Sequence, residues 1–148
     1  AGGQEGEQAV SEQSTLNVLA GTGHMTAARL VIPGPPPVSL NAQERMHWAQ
    51  RKRMRDWWAQ QAWYAWMAAG RPKFRRASVR YHLYYTLERK RDADNCVASC
   101  KPILDGLKGH AFPDDDAGTV TILPPVIEVD RNRPRVEIEI TEAEEAVG

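Results

Sequence analysis

The sequence has few cysteines and no long apolar segment, and each shortage excludes a class of protein. Its 148 residues include two cysteines, Cys96 and Cys100, which are too few for a disulfide framework. We therefore expect both to be small core residues in a reducing compartment. No apolar run is long enough to span a bilayer, and no signal peptide is recognisable. These absences predict a cytoplasmic protein with no membrane partner.

The chain also has no net charge, but its charges are segregated. Lys and Arg together number 19, and so do Asp and Glu. Between Arg45 and Arg91 only Asp56 and Glu88 oppose thirteen cations, which are Arg45, Arg51, Lys52, Arg53, Arg55, Arg71, Lys73, Arg75, Arg76, Arg80, Arg89, Lys90 and Arg91. A basic middle of this kind attracts a phosphate backbone, although a solvated helix face with ordinary surface arginines is the simpler interpretation.

A chain of this length predicts one domain with a modest core. Residues 1–25 are rich in Gly, Glu, Gln and Ser, and we expect a disordered arm or a segment left by cloning. Residues 26–141 should form the folded domain. Residues 142–148 should be an acidic tail that frays.

The order of strand and helix patterns predicts an α+β fold, with a small mixed sheet on which helices pack. Strands are expected at Arg29–Ile32, Ser78–Leu87, Thr119–Ile122, Val126–Val129 and Arg135–Ile140. A long N-terminal helix is expected over Ala42–Ala69, and a second, shorter helix after Asn95. Within the second helix, Pro102 either kinks the axis or begins a separate helix after Cys100.

The long helix carries more aromatic surface than one buried stripe requires. The stripe consists of Met54, Trp58, Ala62, Ala65 and Ala69. Trp57, Trp63 and Trp66 lie outside it. They indicate a dimer interface or a platform for unpaired bases, and ordinary core packing is the simplest interpretation.

The stretch from Arg89 to Asp116 holds six carboxylates, namely Asp92, Asp94, Asp105, Asp114, Asp115 and Asp116. Clustered carboxylates repel one another, and a hard cation such as Mg²⁺ relieves that repulsion. The stretch therefore predicts a metal site that handles phosphate. In an extended chain Asp92 and Asp94 would point to the same side. At helical spacing Lys101 and Asp105 share a face with Asp94.

The two ends of this stretch flank strands. If the strand Thr119–Ile122 lies beside the one that leads to Asp92, the early and late acidic groups would meet at one end of the sheet.

Three motifs in this order resemble the RusA family of Holliday-junction resolvases. They are Asp92, Asp94 and Asn95; the run Lys-Pro-Ile-Leu-Asp-Gly-Leu from Lys101 to Leu107; and Pro113 with the acids after it. The likeness extends over residues 30–140. It implies a RusA-like fold and a homodimer that cuts four-way DNA junctions with Mg²⁺, or with Mn²⁺ instead. It also implies a phage or prophage enzyme of DNA recombination and repair, acting in the cytoplasm of a bacterium or an infected host.

The resemblance assigns Asp92, Asp94 and Asp115 as catalytic, metal-binding carboxylates, and Asp114 as a further metal ligand. The family lysine usually lies four residues after the second Asp, where this chain has Ala98. We therefore carry its role to Lys101, one turn further on.

We expect the basic start of the long helix and the basic run that begins this stretch to contact DNA phosphates. The residues are Arg45, His47, Arg51, Lys52, Arg55, Arg89, Lys90 and Arg91. A metal-ligand or general-base role is the alternative for His47, although a single His among arginines more often contacts phosphate or solvent.

The expected function is a Mg²⁺-dependent, structure-specific endodeoxyribonuclease that resolves four-way junctions by paired cleavage. The alternative is a branched-DNA-binding protein with little or no nuclease activity, which the displaced lysine favours. A third interpretation is a nuclease that prefers flaps or forks.

Overall fold

A computed structural model describes residues 26–143, which form a five-stranded mixed sheet with helices on one face. The strands are β1 (Ala27–Pro33), β2 (Ala77–Tyr85), β3 (Val120–Ile122), β4 (Val126–Val129) and β5 (Arg135–Glu142). The helices are α1 (Leu40–Glu44), α2 (Trp48–Ala68), α3 (Ala93–Ser99) and α4 (Lys101–Leu107). The α+β prediction is confirmed.

The predicted arm, residues 1–25, and residues 144–148 of the predicted tail lie outside the described residues. Glu142, which was assigned to the tail, instead ends β5. Over residues 26–143 no helix combines the length and the apolar character needed to cross a membrane.

Strand β2 is paired along both of its edges. On one edge β5 runs antiparallel to it, and β1 lies beyond β5. On the other edge β3 runs parallel to the start of β2, pairing Val120 with Ala77, while β4 runs parallel to its end, pairing Val129 with Tyr85. A parallel neighbour requires a crossover, so the acidic stretch leaves one end of β2 and returns to the other.

The core lies between this sheet and helices α2 and α4. Strand β2 buries alternate residues, including Val79, Tyr81 and Leu83, as the sequence pattern predicts. The prediction fails for Leu87, which is 56% exposed because β2 ends at Tyr85.

The predicted long helix is wrong at its start, because two helices replace it. Ser39 caps α1, where its Oγ accepts a hydrogen bond from the Ala42 amide at 3.2 Å. The chain then turns at His47, whose extended backbone and side chain cap α2. His47 Nδ1 accepts from the Ala49 amide at 3.3 Å, an N-cap interaction that begins a new helix.

The buried stripe of α2 is confirmed at Trp58, Ala62, Ala65 and Ala69, and Met54 packs partly buried beside it. Trp66 does not belong to the surface aromatics, because it is 6% exposed and its Nε1 donates to the Pro72 carbonyl at 2.8 Å. Trp57 and Trp63 do lie on the surface, together with Tyr64.

At Pro102 the structure selects one of the two predicted alternatives. α3 ends at Ser99 and α4 begins at Lys101, so Pro102 lies in the first turn of a new helix, where its missing amide removes no helical bond. Cys96 and Cys100 are free and buried, as predicted. Burial raises the pKa of the Cys100 thiol to about 12, which keeps it protonated.

Helices α2 and α4 make a very close contact at Gly106. A Cβ atom added there would lie 2.7 Å from the Ala59 Cα, on a backbone that has no rotamer with which to move away. The contact therefore requires glycine.

We predict that Gly106→Ala lowers the free energy of unfolding by about 1–3 kcal/mol, the usual effect of overpacking. Gly118→Ala is the control, since its new Cβ would meet one side-chain atom, Asp116 Oδ1, at 3.3 Å, and no backbone atom. Urea denaturation of both variants measures the difference. An equal loss in the two variants would contradict the close-contact explanation.

Candidate functional site

The early acidic group lies at the start of α3. Asp92 is the N-cap of that helix, and its Oδ1 accepts hydrogen bonds from the backbone amides of Asp94 at 2.8 Å and Asn95 at 3.2 Å. All three side chains are exposed. The predicted extended arrangement is wrong, because β2 ends well before Asp92 and Asp94 lies in the first helical turn. A carboxylate in the first turn also favours the helix electrostatically.

The late acidic group lies beside α4 and is compensated by lysines. Asp115 forms ion pairs with Lys101 and with Lys108, the latter at 3.4 Å. Lys108 also reaches Asp114 at 3.4 Å, and Lys101 reaches Asp105 at 3.0 Å. The predicted shared face of Lys101 and Asp105 is thus confirmed.

These cations change the acidity of the Asp115 carboxyl. The hydrogen bond from Lys101 is the leading cause that lowers its pKa to about 2, and the charge of Lys108 adds to the effect. Conversely, the hydrogen bond to Asp115 raises the pKa of Lys101. Both groups therefore stay charged near neutral pH.

Lys108 is a site residue that sequence reasoning missed. It lies seven residues after Lys101, about two helical turns, so both lysines reach the same carboxylate from one side of α4. This seven-residue spacing from Lys101 was a signal in the sequence that could have identified Lys108.

The sequence suggested that the two acidic groups meet at one end of the sheet, but in the structure they do not. β3 does lie beside β2, but it is parallel to the start of β2, whereas Asp92 follows its end. Within residues 26–143, no three His, Cys, Asp or Glu side chains are placed to share a metal ion. The carboxylates suit Mg²⁺ chemically, yet this arrangement of the single chain does not present a ready three-ligand site.

Asp92 and Asn95 open onto a cavity of about 540 Å³, named here the Asp92 cavity. Three consecutive cations, Arg89, Lys90 and Arg91, line it as well. The Arg91 guanidinium stacks on the Tyr85 ring, with its Cζ 3.6 Å from the ring centroid, and donates to the Leu87 carbonyl at 3.0 Å. Sequence reasoning missed Tyr85, which had no predicted role beyond its place in the strand Ser78–Leu87.

A second cavity, of about 440 Å³, is also lined by residues of α1, Leu40 and Gln43, and is named here the Lys101 groove. Arg55, Lys101 and Asp105 line it, so the structure places one predicted DNA contact of α2 beside the predicted catalytic lysine. Gln43 also lines it and is buried. Its Nε2 donates to the Val38 carbonyl at 2.9 Å and to the Ser99 carbonyl at 3.1 Å, which ties α1 to α3. No periodic pattern marked Gln43.

The other predicted DNA contacts surround the turn between α1 and α2. Arg45 is exposed and its Nε donates to the Asn41 carbonyl at 3.3 Å. Arg51 is half-buried, and its guanidinium donates to the Met46 carbonyl at 3.4 Å. Lys52 forms an ion pair with Asp56 at 2.8 Å. His47 serves as a helix cap, which is a local role that explains its position.

The family model described as endodeoxyribonuclease RusA matches residues 33–141. The chain belongs to the RusA endodeoxyribonuclease family. The family and fold predicted from the motifs are therefore confirmed, and the protein is an endodeoxyribonuclease of a family that implies Holliday-junction cleavage. Curated proteins compared with the sequence gave no match.

We predict that Lys101→Met raises the pKa of the Asp115 carboxyl from about 2 toward the ordinary value of about 3.9. Lys108→Met should raise it less, because the Lys101 hydrogen bond is the larger cause. NMR titration of the Asp115 carboxyl carbon measures both shifts. A larger rise of the Asp115 pKa in Lys108→Met than in Lys101→Met would contradict the Lys101 hydrogen bond as the larger cause.

The lowered pKa of the Asp115 carboxyl also determines how the stability of the folded chain changes with pH. The ion pair stabilises the folded chain above a pH of about 4, and this contribution is lost as the pH falls toward about 2.

Proposed function

We propose that this RusA-family endodeoxyribonuclease is structure-specific and resolves four-way DNA junctions by paired phosphodiester cleavage. The observation that carries the proposal is the Asp92 cavity, where the exposed Asp92 carboxylate and three consecutive cations line one opening. Cations that contact the DNA backbone position its phosphates, and a carboxylate beside them can take part in phosphodiester cleavage.

We also propose that cleavage requires a divalent cation, Mg²⁺ or alternatively Mn²⁺. Asp92, Asp94 and Asp115 would hold it, with Asp114 as a further ligand. Such an ion supplies an activated water and charge stabilisation at the leaving oxygen. The donor chemistry and the family membership support this proposal, although the described arrangement gathers no three of these side chains.

The residues' own contacts support distinct roles for them. The capping hydrogen bonds fix the Asp92 carboxylate through its Oδ1 at the edge of the cavity, so the position of its Oδ2 is also fixed. Lys101 lines the neighbouring groove, where its charge would offset charge that develops on a phosphate. Arg55 lines the same groove and would hold an adjacent phosphate.

We further propose that the enzyme acts as a homodimer. Trp57, Trp63 and Tyr64 leave apolar rings exposed along α2, and such rings are enriched at interfaces. A twofold dimer would present two equivalent sites, which matches the symmetry of a four-way junction and allows two strands to be cut.

We predict that Asp94→Asn lowers the rate of junction cleavage by at least about 100-fold, since loss of metal-site groups typically has effects of this order. The measurement is cleavage of a synthetic four-way junction and of a matched linear duplex, with Mg²⁺ or EDTA. Glu128→Gln is the control, because Glu128 is an exposed acid on β4 outside both cavities. Undiminished Mg²⁺-dependent cleavage by Asp94→Asn would refute the assignment.

A branched-DNA-binding protein with little nuclease activity is the second candidate. The absence of three gathered ligands within the described residues favours it, and so do the ion pairs that occupy Lys101. Tight junction binding by the wild-type chain, with no cutting in Mg²⁺ or Mn²⁺, would establish this candidate instead.

The cationic segment beside Asp92 gives a separate prediction. Arg89→Ala should weaken junction binding and reduce the slope of log K against log salt by roughly 0.9, the loss of one phosphate contact. Arg131→Ala is the control, as an exposed arginine in the turn before β5. Fluorescence anisotropy over a salt series measures both slopes, and an unchanged slope for Arg89→Ala would remove it from the phosphate contacts.

A further inference from the structure

We infer that the Asp92 cavity is a subsite for one unstacked nucleotide of the bound junction. The inference rests on the proposed function and adds a ligand to the same site. It assigns the apolar part of the cavity to the base and the cationic part to that nucleotide's phosphate.

The size and lining of the cavity support a base. Its volume of about 540 Å³ lies within the roughly 300–1,000 Å³ of small-molecule sites. Pro36, Pro37 and Val38 line it on the side of the connector after β1, with Ala42 of α1 and Tyr85 of β2 beside them. Flat apolar surfaces of this kind suit the face of a base, which is the part exposed when stacking is lost.

The charges of the cavity favour a nucleotide over an apolar protein segment. Arg89, Lys90 and Arg91 would be left without compensation by an apolar occupant, whereas a phosphate pairs with them. The stack of Arg91 on Tyr85 fixes a guanidinium plane at the wall. Asn95 adds a side-chain amide, a group that reads the hydrogen-bonding edges of bases.

The occupant must be unstacked, because a paired base inside a duplex presents only its edges to a protein. A base enters a cavity only after it leaves the stack, and the free energy required is lowest where pairing is already interrupted. The exchange point of a four-way junction is such a place. A nucleotide held there would set the neighbouring phosphate beside Asp92 and Asp94, which links recognition of the branch to the position of cleavage.

The test uses junctions that carry 2-aminopurine either at the exchange point or within one arm, in EDTA so that no strand is cut. With the wild-type chain we expect a several-fold rise in fluorescence at the exchange point and little change in the arm. Ala42→Leu should abolish most of the rise and weaken junction binding by about fivefold, the lower limit for one stacked base. An aliphatic replacement is chosen because an aromatic one would itself stack on a base.

A second test variant, Val38→Glu, and two controls, Ala68→Leu and Thr121→Glu, separate filling of the cavity from general damage to the protein. Ala68→Leu places the same side chain on the exposed end of α2 and should leave the signal unchanged. Val38→Glu adds a repelling charge at an exposed residue of the cavity, where folding is not at risk, and should also abolish the rise. Thr121→Glu adds the same charge at an exposed β3 residue outside the cavity and should preserve it.

Three results would overturn the subsite. One is no rise at the exchange point although the anisotropy of a labelled arm shows that the junction is bound. Another is a rise that both Ala42→Leu and Val38→Glu retain. The third is binding of free 2-aminopurine deoxynucleotide by the cavity with no response in the junction, which would make free nucleotides the ligand.

The same assays distinguish failure of the subsite from failure of the proposed function. Wild-type junction cleavage in Mg²⁺ without the fluorescence rise would refute the subsite alone. Unchanged anisotropy of the junction at all protein concentrations would refute both.

Discussion

The parallel pairing of β2 with β3 and β4 is the constraint on which the arrangement of the site depends. A strand cannot turn directly into a parallel neighbour, so residues 86–119 must cross from one end of β2 to the other. The acidic stretch is that crossover. Its early carboxylates consequently follow the end of β2, its late carboxylates precede the return to the start of β2, and α3 and α4 fill the distance between them.

Charge compensation determines the character of each acidic group. Asp115 is only 14% exposed in its side chain and has two lysine partners, so its charge is balanced within the chain. Asp92 and Asp94 are both exposed, and the Asp92 carboxylate accepts hydrogen bonds from the backbone amides of Asp94 and Asn95. Asp92 lines the cavity together with Arg89, Lys90 and Arg91, where an outside ligand can complete the charge balance.

Much of the fold followed from local patterns in the sequence. Alternation located β2 and β5, and helical spacing located the buried face of α2 from Trp58 to Ala69, because burial on one face fixes both periods. The break at His47 was missed, since it depends on one side chain that caps a helix rather than on the hydrophobic pattern. For Trp66 the structure selects core packing among the interpretations left open, and its indole reaches the Pro72 carbonyl after the end of the helix, a partner that no periodic pattern records.

The sequence named members for a candidate site but did not give their geometry. The order of the motifs identified Asp92, Asp94 and Lys101, yet the distance between the two acidic groups depends on strand direction, which no local pattern records. The spacing of Lys101 and Lys108 was visible in the sequence, but that both reach the Asp115 carboxylate is shown only by the fold. The link from Gln43 to Ser99 joins residues far apart in sequence, and only the folded chain brings them together.

That link also bears on both cavities. Helix α1 contributes Ala42 to the Asp92 cavity and Gln43 to the Lys101 groove, and the Gln43 amide fastens the helix to the end of α3. Loss of the Gln43 amide would therefore loosen a lining element of both cavities at once.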